Sequence, residues 1–516
     1  MTAFRGSRGS AQLPTILGVF VVGALVGALA AVEIVPAGRL SPTVASVAAP
    51  PSGTGAPVPG STNGPTAQPS IGPSTAGGPA GQASGPATGQ NPGSQPVAAG
   101  PSRFECRAGA NGGATDRGVT ASQISLATTV VQSGIGSSFL GEMRFAMDAA
   151  ITKVNRDGGI CGRQLSITYK DDGWNPQTGA QYLRNFIEQG VFAIPVGASS
   201  EGLQVVIKSG DLDRAQIPVV GTDGLAIDQY ARSDGSAQPW VWPIATATVS
   251  SARIMAADAY RRGARRLGVV FDSNYRFGAE GASAFDAEYF RLSGKHVEGY
   301  NTDNTCNQLY CGIQAGQNSY SSQAAIFSGA KPDFIALFLE PQTALTWMQD
   351  PNTPAATSRD LAFGYGGAQP LFTYQFESQC GNKCDQMVVW TGFKPNVEQY
   401  TSDPAVTSYV NDLRSVNPQA DPYNQFSEGA YVGMQALIQA LQRVGPELTR
   451  ARLKAVLDTM KFAAPLTLQG VLPFSASNRF ANVTMQAFTM QFKGTPGGWR
   501  TGETVSDSRA SAGPPA

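Results

Sequence analysis

The chain has 516 residues, and 37 Lys plus Arg balance 37 Asp plus Glu, for a formal net charge of zero. That balance leaves no electrostatic footprint for nucleic acid or an anionic membrane surface. A single histidine, His296, argues against a His-dependent triad and a His-rich metal site, though not against all catalysis.

Residues 1–14 carry Arg5 and Arg8 and are read as a cytoplasmic N-terminus. Within the segment 15–35, Ile16 to Val32 is continuously apolar or Gly/Ala. It is long enough to span a bilayer, at the short end of the range, with the remainder of the chain outside. The same features describe a secretory signal, and Ala28-Leu29-Ala30 fits a cleavage site. No Cys closes the apolar run, which excludes the usual lipoprotein attachment. Residues 41–102 are a Pro/Gly/Ser/Thr/Ala tract that cannot bury a core and reads as a disordered linker. As a coil its ends sit roughly 45 Å apart, and stretched it reaches roughly 190 Å. A tract of that reach is useful when something is held at each end, which favours an uncleaved anchor over a signal.

The six cysteines all lie beyond the linker: Cys106, Cys161, Cys306, Cys311, Cys380 and Cys384. An even number in an extracytoplasmic part reads as disulfides. Cys306/Cys311 and Cys380/Cys384 are close enough to staple local loops. Cys106/Cys161 then pins the N-terminal arm to the body. The C-x4-C and C-x3-C pairs lie far apart, which disfavours zinc.

From about residue 103 to 503 the composition is globular, and some 400 residues exceed one core, so two lobes are expected. Gln123 to Val130, Leu165 to Tyr169, Ile217 to Val220, Arg266 to Phe271 and Phe334 to Leu339 read as strands. Phe139 to Val154, Thr178 to Glu188, Ala252 to Arg261, Ala282 to Leu292 and Ser322 to Phe327 lie between them as helices. This alternation predicts an α/β fold of doubly wound parallel sheets. One stretch carries chemistry. Phe192-Ala193-Ile194-Pro195-Val196 reads as a buried strand that stops at Gly197. Ser199 and Ser200 follow, and a helical pattern starts at Gly202. Small hydroxyls at a helix start make an anion site, where free N–H groups and the helix dipole converge. A plain N-cap serine is the alternative.

An ordered set of short motifs accompanies this stretch. Ser133-Gly134 comes first, then Asn155-Arg156-Asp157-Gly158-Gly159-Ile160-Cys161-Gly162-Arg163 and Asp171-Asp172-Gly173-Trp174-Asn175-Pro176. Val196-Gly197-Ala198-Ser199-Ser200, Ile217-Pro218-Val219-Val220, Phe277-Gly278, Lys331-Pro332-Asp333-Phe334 and Gly470-Val471-Leu472-Pro473-Phe474 follow in order. The set resembles the branched-chain amino-acid binding proteins, type I periplasmic solute-binding proteins that feed ABC transporters. The arm from Cys106 to Asp116 is not part of that pattern.

The resemblance implies two α/β lobes joined by three crossings, closing on a ligand by a hinge. Lobe 1 takes 103–246 with 388–469, lobe 2 takes 247–387 with 470–503, and 504–516 is a disordered tail. Ser199 and Ser200 would receive a ligand carboxylate. Ser133, Thr222 and Asp223 would line the same side, and Asp223 would suit a cationic group. Phe139 and Phe277 stand where the family commonly has Tyr, which makes the pocket drier. Trp174 adds bulk near the cleft. Glu377 is the nearest acid to the position that meets the ligand ammonium, and Glu340 is a second candidate. Trp174 and Phe277 also fit plain packing, Asp223 a turn, and Glu377 a solvated loop acid.

The function implied is capture of a small carboxylate-bearing solute, an amino acid or related compound, for delivery to an ABC permease. A ligand-sensing ectodomain working with a separate signalling partner is the alternative. No G-x-S-x-G, phosphate loop or metal cluster is present. No cofactor, catalysis or nucleic-acid partner is expected, and membrane contact would run through the N-terminal helix if uncleaved.

Overall fold

The computed structural model describes residues 106, 110–197, 199–222, 226–355, 364–367, 369–492, 494 and 498–511. The expected N-terminus 1–14, span 15–35, linker 41–102 and Asp223 lie outside the described residues. Among the described residues no helix is long and apolar enough to cross a membrane.

In the first lobe, β1 (Gln123–Val130) leads through α1 (Ser137–Leu140) and α2 (Met143–Arg156) to β2 (Gln164–Asp171), its parallel neighbour. α3 (Pro176–Gln189) returns to β3 (Ile194–Pro195), which meets β1 through the Leu126–Ala193 bridge. The ends of α3 follow from sequence. Asn175 accepts from the N–H groups of Gln177 and Thr178, Pro176 opens the first turn, and left-handed Gly190 closes the last. α4 (Ser200–Lys208) and α5 (Asp211–Ala215) lead to β4 (Val219–Thr222) and then β5 (Val241–Pro243), both parallel. The sheet order is β2-β1-β3-β4-β5.

The second lobe begins with α6 (Thr248–Arg261), β6 (Leu267–Asp272) and α7 (Arg276–Ser293). β7 (Cys306–Asn307), β8 (Tyr310–Ile313), α8 (Ser321–Ala330), β9 (Phe334–Phe338) and α9 (Pro341–Gln349) follow. β10 (Tyr365–Gly367), α10 (Tyr374–Cys380) and β11 (Val388–Thr391) complete this pass. β6 and β9 are buried along their whole length, as central parallel strands covered on both faces must be.

The chain then re-enters the first lobe as α11 (Pro404–Val416), α12 (Gln425–Val444), α13 (Arg450–Leu457), β12 (Lys461–Ala464) and β13 (Gly470–Pro473). It ends on β14 (Thr484–Met490), β15 (Trp499–Ser506) and α14 (Ser508–Ser511). The second sheet has the order β15-β14-β11-β10-β9-β6-β8-β7.

Three expected boundaries move. β11 pairs with β10 and β14, so Val388–Thr391 belongs to the second sheet and the return follows Thr391 rather than preceding 388. β13 pairs with β12, and Leu472 and Phe474 join the first lobe's apolar cluster, so the last crossing falls after 474 rather than at 470. β15 runs to Ser506 and a helical turn follows, where a disordered tail was expected from 504. α7 also starts six residues before the expected Ala282. Gly278 and Gly281 lie inside its first turns and serve packing. A Cβ at Gly278 would lie 2.3 Å from the Asp272 carbonyl oxygen, and one at Gly281 would strike the Phe338 ring.

The described cysteines form Cys106–Cys161, Cys306–Cys311 and Cys380–Cys384, the expected pairs. Cys306–Cys311 closes the β7–β8 hairpin. Buried Arg163 holds the arm by donating to the carbonyl oxygens of Asn111, Gly113 and Thr120.

α12 is buried nearly all round and crosses β4 with no side chain between them. A Cβ on Gly433 would lie 2.2 Å from the Gly221 carbonyl oxygen. Gly433→Ala should therefore lower unfolding stability by at least about 1–3 kcal/mol, the range for overpacking. Urea unfolding checks this, and an unchanged midpoint would mean the helix shifts freely.

Candidate functional site

In open α/β sheets ligands sit beyond the strand C-termini. Here the segments after β2, β3 and β4 meet the segment after β6: Trp174 stacks on Tyr275, Glu201 accepts from the Arg276 N–H, and the Ile227 N–H donates to Glu280. The strand that leads to α4 ends abruptly. Val196 has φ +61° and Gly197 φ +62°, and the Gly197 N–H donates to the Pro195 carbonyl at 2.6 Å. This is a γ-turn centred on a β-branched residue in the left-handed region, a conformation that costs of order 1–3 kcal/mol. It aims the start of α4 at the other lobe. Ser199 is the N-cap residue, yet its side chain makes no capping bond. The first N–H groups of α4 are thus left for water or a ligand.

The two hydroxyls assigned to a ligand carboxylate differ. Ser200 is half-buried and opens α4. Ser199 is fully buried, with its hydroxyl near Asp172 but without a hydrogen-bond partner among the described residues. Asp172 sits between the starts of α3 and α4, where a Cβ on Gly179 would lie 2.8 Å from its Oδ2. Its Oδ1 accepts from the Trp174 N–H at 2.9 Å. Oδ2 has no full hydrogen bond among the described residues. Burial pushes its pKa from the ordinary 3.8 up to about 6, and the Trp174 N–H and the nearby Thr129 and Ser199 hydroxyls offset only part of that.

Trp174 follows Gly173, and both have positive φ, +62° and +59°. Its ring packs edge-on against Phe139 at 5.5 Å and stacks on Tyr275 at 4.0 Å, with Phe277 at 6.4 Å. Phe139 also touches Phe426, at 5.4 Å. Phe139, Trp174 and Phe277 are therefore brought together, with the second lobe's Phe277 inside the first lobe's apolar cluster. Ser133 is exposed beside Asp171 and Gly173. Thr222 ends β4, fully buried, with its hydroxyl unpartnered among the described residues.

The two second-lobe acids behave differently from expectation. Glu377 does not reach the cleft as the ammonium-binding acid. It is buried in α10, and its Oε2 accepts from the Trp499 indole N–H at 3.2 Å. It is not a solvated loop acid either. Glu340 is the buried N-cap of α9, accepting from the N–H groups of Gln342 at 2.7 Å and of Thr343 at 2.5 Å. Its own N–H donates to Asp272 at 2.6 Å. Burial raises the pKa of both Asp272 and Glu340, with the Glu340 charge adding to the effect at Asp272.

Tyr275 is the residue that sequence reading missed. Burial and the charges of Asp272, Glu340 and Glu201 raise its phenol to about 12. An aromatic two positions before Phe277, at the end of a buried strand, was the available signal.

The chain belongs to the periplasmic binding protein family, whose model matches residues 123–495. The fold is the type I form. Among curated protein sequences none matches the chain. Several solved structures share the fold. A fatty acid ABC transporter substrate-binding protein from Thermomonospora curvata matches with TM-score 0.61 at 17% identity, over 77% of this chain and 96% of that one. An R. palustris solute-binding protein in complex with benzoate gives 0.59 at 18%, over 75% and 98%. A leucine-binding protein from Thermotoga maritima gives 0.58 at 15%, over 75% and 99%. The ligands named for these neighbours differ, so at such identities the likeness shows the fold alone.

Asp172 yields a pH prediction. Its raised pKa means the folded state binds the proton more tightly than the unfolded chain. Stability from this group is therefore present at low pH and lost as pH rises through the window from about 4 to 6. Asp172→Asn keeps the acceptor for the Trp174 N–H and removes the charge. It should stabilise the protein by about 1–3 kcal/mol near pH 7.5 and by almost nothing near pH 4. Thermal unfolding at both pH values measures this, and a difference independent of pH would contradict it.

Proposed function

We propose that the protein is a non-catalytic, extracytoplasmic solute-binding protein. It captures a small carboxylate-bearing solute, an amino acid or related compound, between its lobes and delivers it to an ABC importer. The observation that carries the reading is the start of α4, where the N-cap side chain leaves the first N–H groups uncapped. A carboxylate suits that position, held by those N–H groups and by Ser200. Ser199 supports the site from behind, through Asp172.

The rest of the cleft suits an amino-acid-like solute. Phe139, Trp174, Tyr275 and Phe277 give an apolar wall for a side chain, larger or more aromatic than leucine's. The carboxyl groups of Asp272, Glu340 and Glu201 stand near the Tyr275 phenol and suit an ammonium group. Thr222, at the end of β4, belongs to the same edge. Extracytoplasmic placement and the permease partner follow the family.

Binding to the native state raises its stability by RT ln(1 + [L]/Kd). The purified protein should therefore melt higher with one member of a panel of amino acids, aromatic acids and fatty acids. A panel in which no carboxylate shifts the curve defeats the ligand class. With a ligand in hand, Ser200→Ala should weaken it by about 1–3 kcal/mol without lowering the melting temperature of the free protein. Calorimetric titration reads this, and unchanged affinity would remove Ser200 from the site.

A further inference from the structure

The loop after β6 and the first turns of α7 reach across to the other lobe at five points. The Tyr275 ring lies on Trp174, 4.0 Å between centroids and 12° from parallel. The Arg276 N–H donates to Glu201 Oε1 at 3.2 Å. The Arg276 guanidinium pairs with Asp228 at 3.3 Å while also held by Glu280. Phe277 packs into the first lobe's apolar cluster. One turn later Glu280 Oε2 accepts the Ile227 N–H at 2.8 Å. On the first lobe, Asp228 is fixed by Gln204 at 2.5 Å and faces Lys208 at 3.6 Å.

We propose that this corner is a clasp that holds the lobes together without a solute, so that the closed form is populated before the cleft is filled. Three kinds of interaction act together: a ring stack, two hydrogen bonds to backbone N–H groups, and an ion pair. Each engages one residue of lobe 2 with one of lobe 1, and none needs a bound molecule. The opposite rim carries a weaker counterpart, where the Tyr374 N–H donates to Asp421 at 3.0 Å. A ligand can shift an equilibrium only by its differential affinity for the two states. A clasped protein therefore gains little further closure on binding, and solute entry waits on the clasp opening. The proposal rests on the reading of the cleft as the capture site, but its test needs no solute.

Two of the clasp's hydrogen bonds use backbone N–H groups, so amide hydrogen exchange reports it directly. In the full-length protein with no solute added, the Ile227 to Gln229 segment should be protected. Tyr275→Ala and Arg276→Glu should each speed its exchange about tenfold, a shift of ~1.4 kcal/mol in the closed-to-open ratio. About 1 M salt should act in the same direction by screening the half-exposed Arg276–Asp228 pair. Both variants leave Glu280, the acceptor of the Ile227 N–H, in place. Exchange in the central strand Phe334–Phe338 serves as the internal standard and should not move. Unprotected Ile227 in the solute-free wild type, or protection that survives in both variants, overturns the clasp. Either result leaves the melting-shift test of the ligand class untouched.

Discussion

Backbone meets backbone where Gly221 of β4 crosses Gly433 of α12. This contact joins the first and third passes of the chain into one lobe, and much else depends on it. β4 ends one residue beyond it, at Thr222, on the cleft edge. α12 begins with Asn424, whose side chain donates to the Phe139 carbonyl at 2.8 Å and fixes the first ring of the apolar wall. A side chain at either glycine would push the helix from the sheet by ångströms and carry both cleft features with it. The closest packing of the lobe thus lies directly behind its cleft edge.

Strain concentrates on that edge. Val196 and Trp174 are a β-branched and a bulky residue held at positive φ, where glycine is the usual occupant. Trp174 lies two residues after Asp172, whose Oδ1 holds its N–H, and Val196 lies three residues before Ser199, which is near the same carboxylate. The buried carboxylate, the strained corner and the aromatic lid are therefore one unit. Asp172 fixes the loop that carries Trp174, and Trp174 presents the face on which Tyr275 closes. A change at Asp172 is thus passed to the lobe contact through the Trp174 loop.

The two-lobe α/β architecture was legible in the sequence because buried parallel strands such as Phe334–Phe338 leave uninterrupted apolar runs between helical patterns. The cysteine pairs were legible for a simpler reason, since two of the three span only a few residues. Boundaries were less so. Val388–Thr391 is a buried strand in either lobe, and no local pattern says which sheet it joins. At the site, Phe139, Trp174 and Phe277 came together as the motif order implied. The acids did not keep their assigned partners, because the partner of a carboxylate is set by what folds against it. Glu340 meets the first turn of its own helix, and Glu377 meets an indole from a strand more than a hundred residues away.

That reassignment changes where specificity resides. A cleft that chose its solute through free carboxylates would do so by charge, and its preference would follow pH and salt. Here Glu340 is tied to two backbone N–H groups and Asp272 to a third, so neither can turn to follow a ligand. They act as fixed acceptors for the backbone and not as adjustable ligands. The parts that touch both lobes are rings, and rings discriminate by shape and by the area they bury. Trp174 and Tyr275 already lie in stacking contact, so a solute must fit behind their stack or part it.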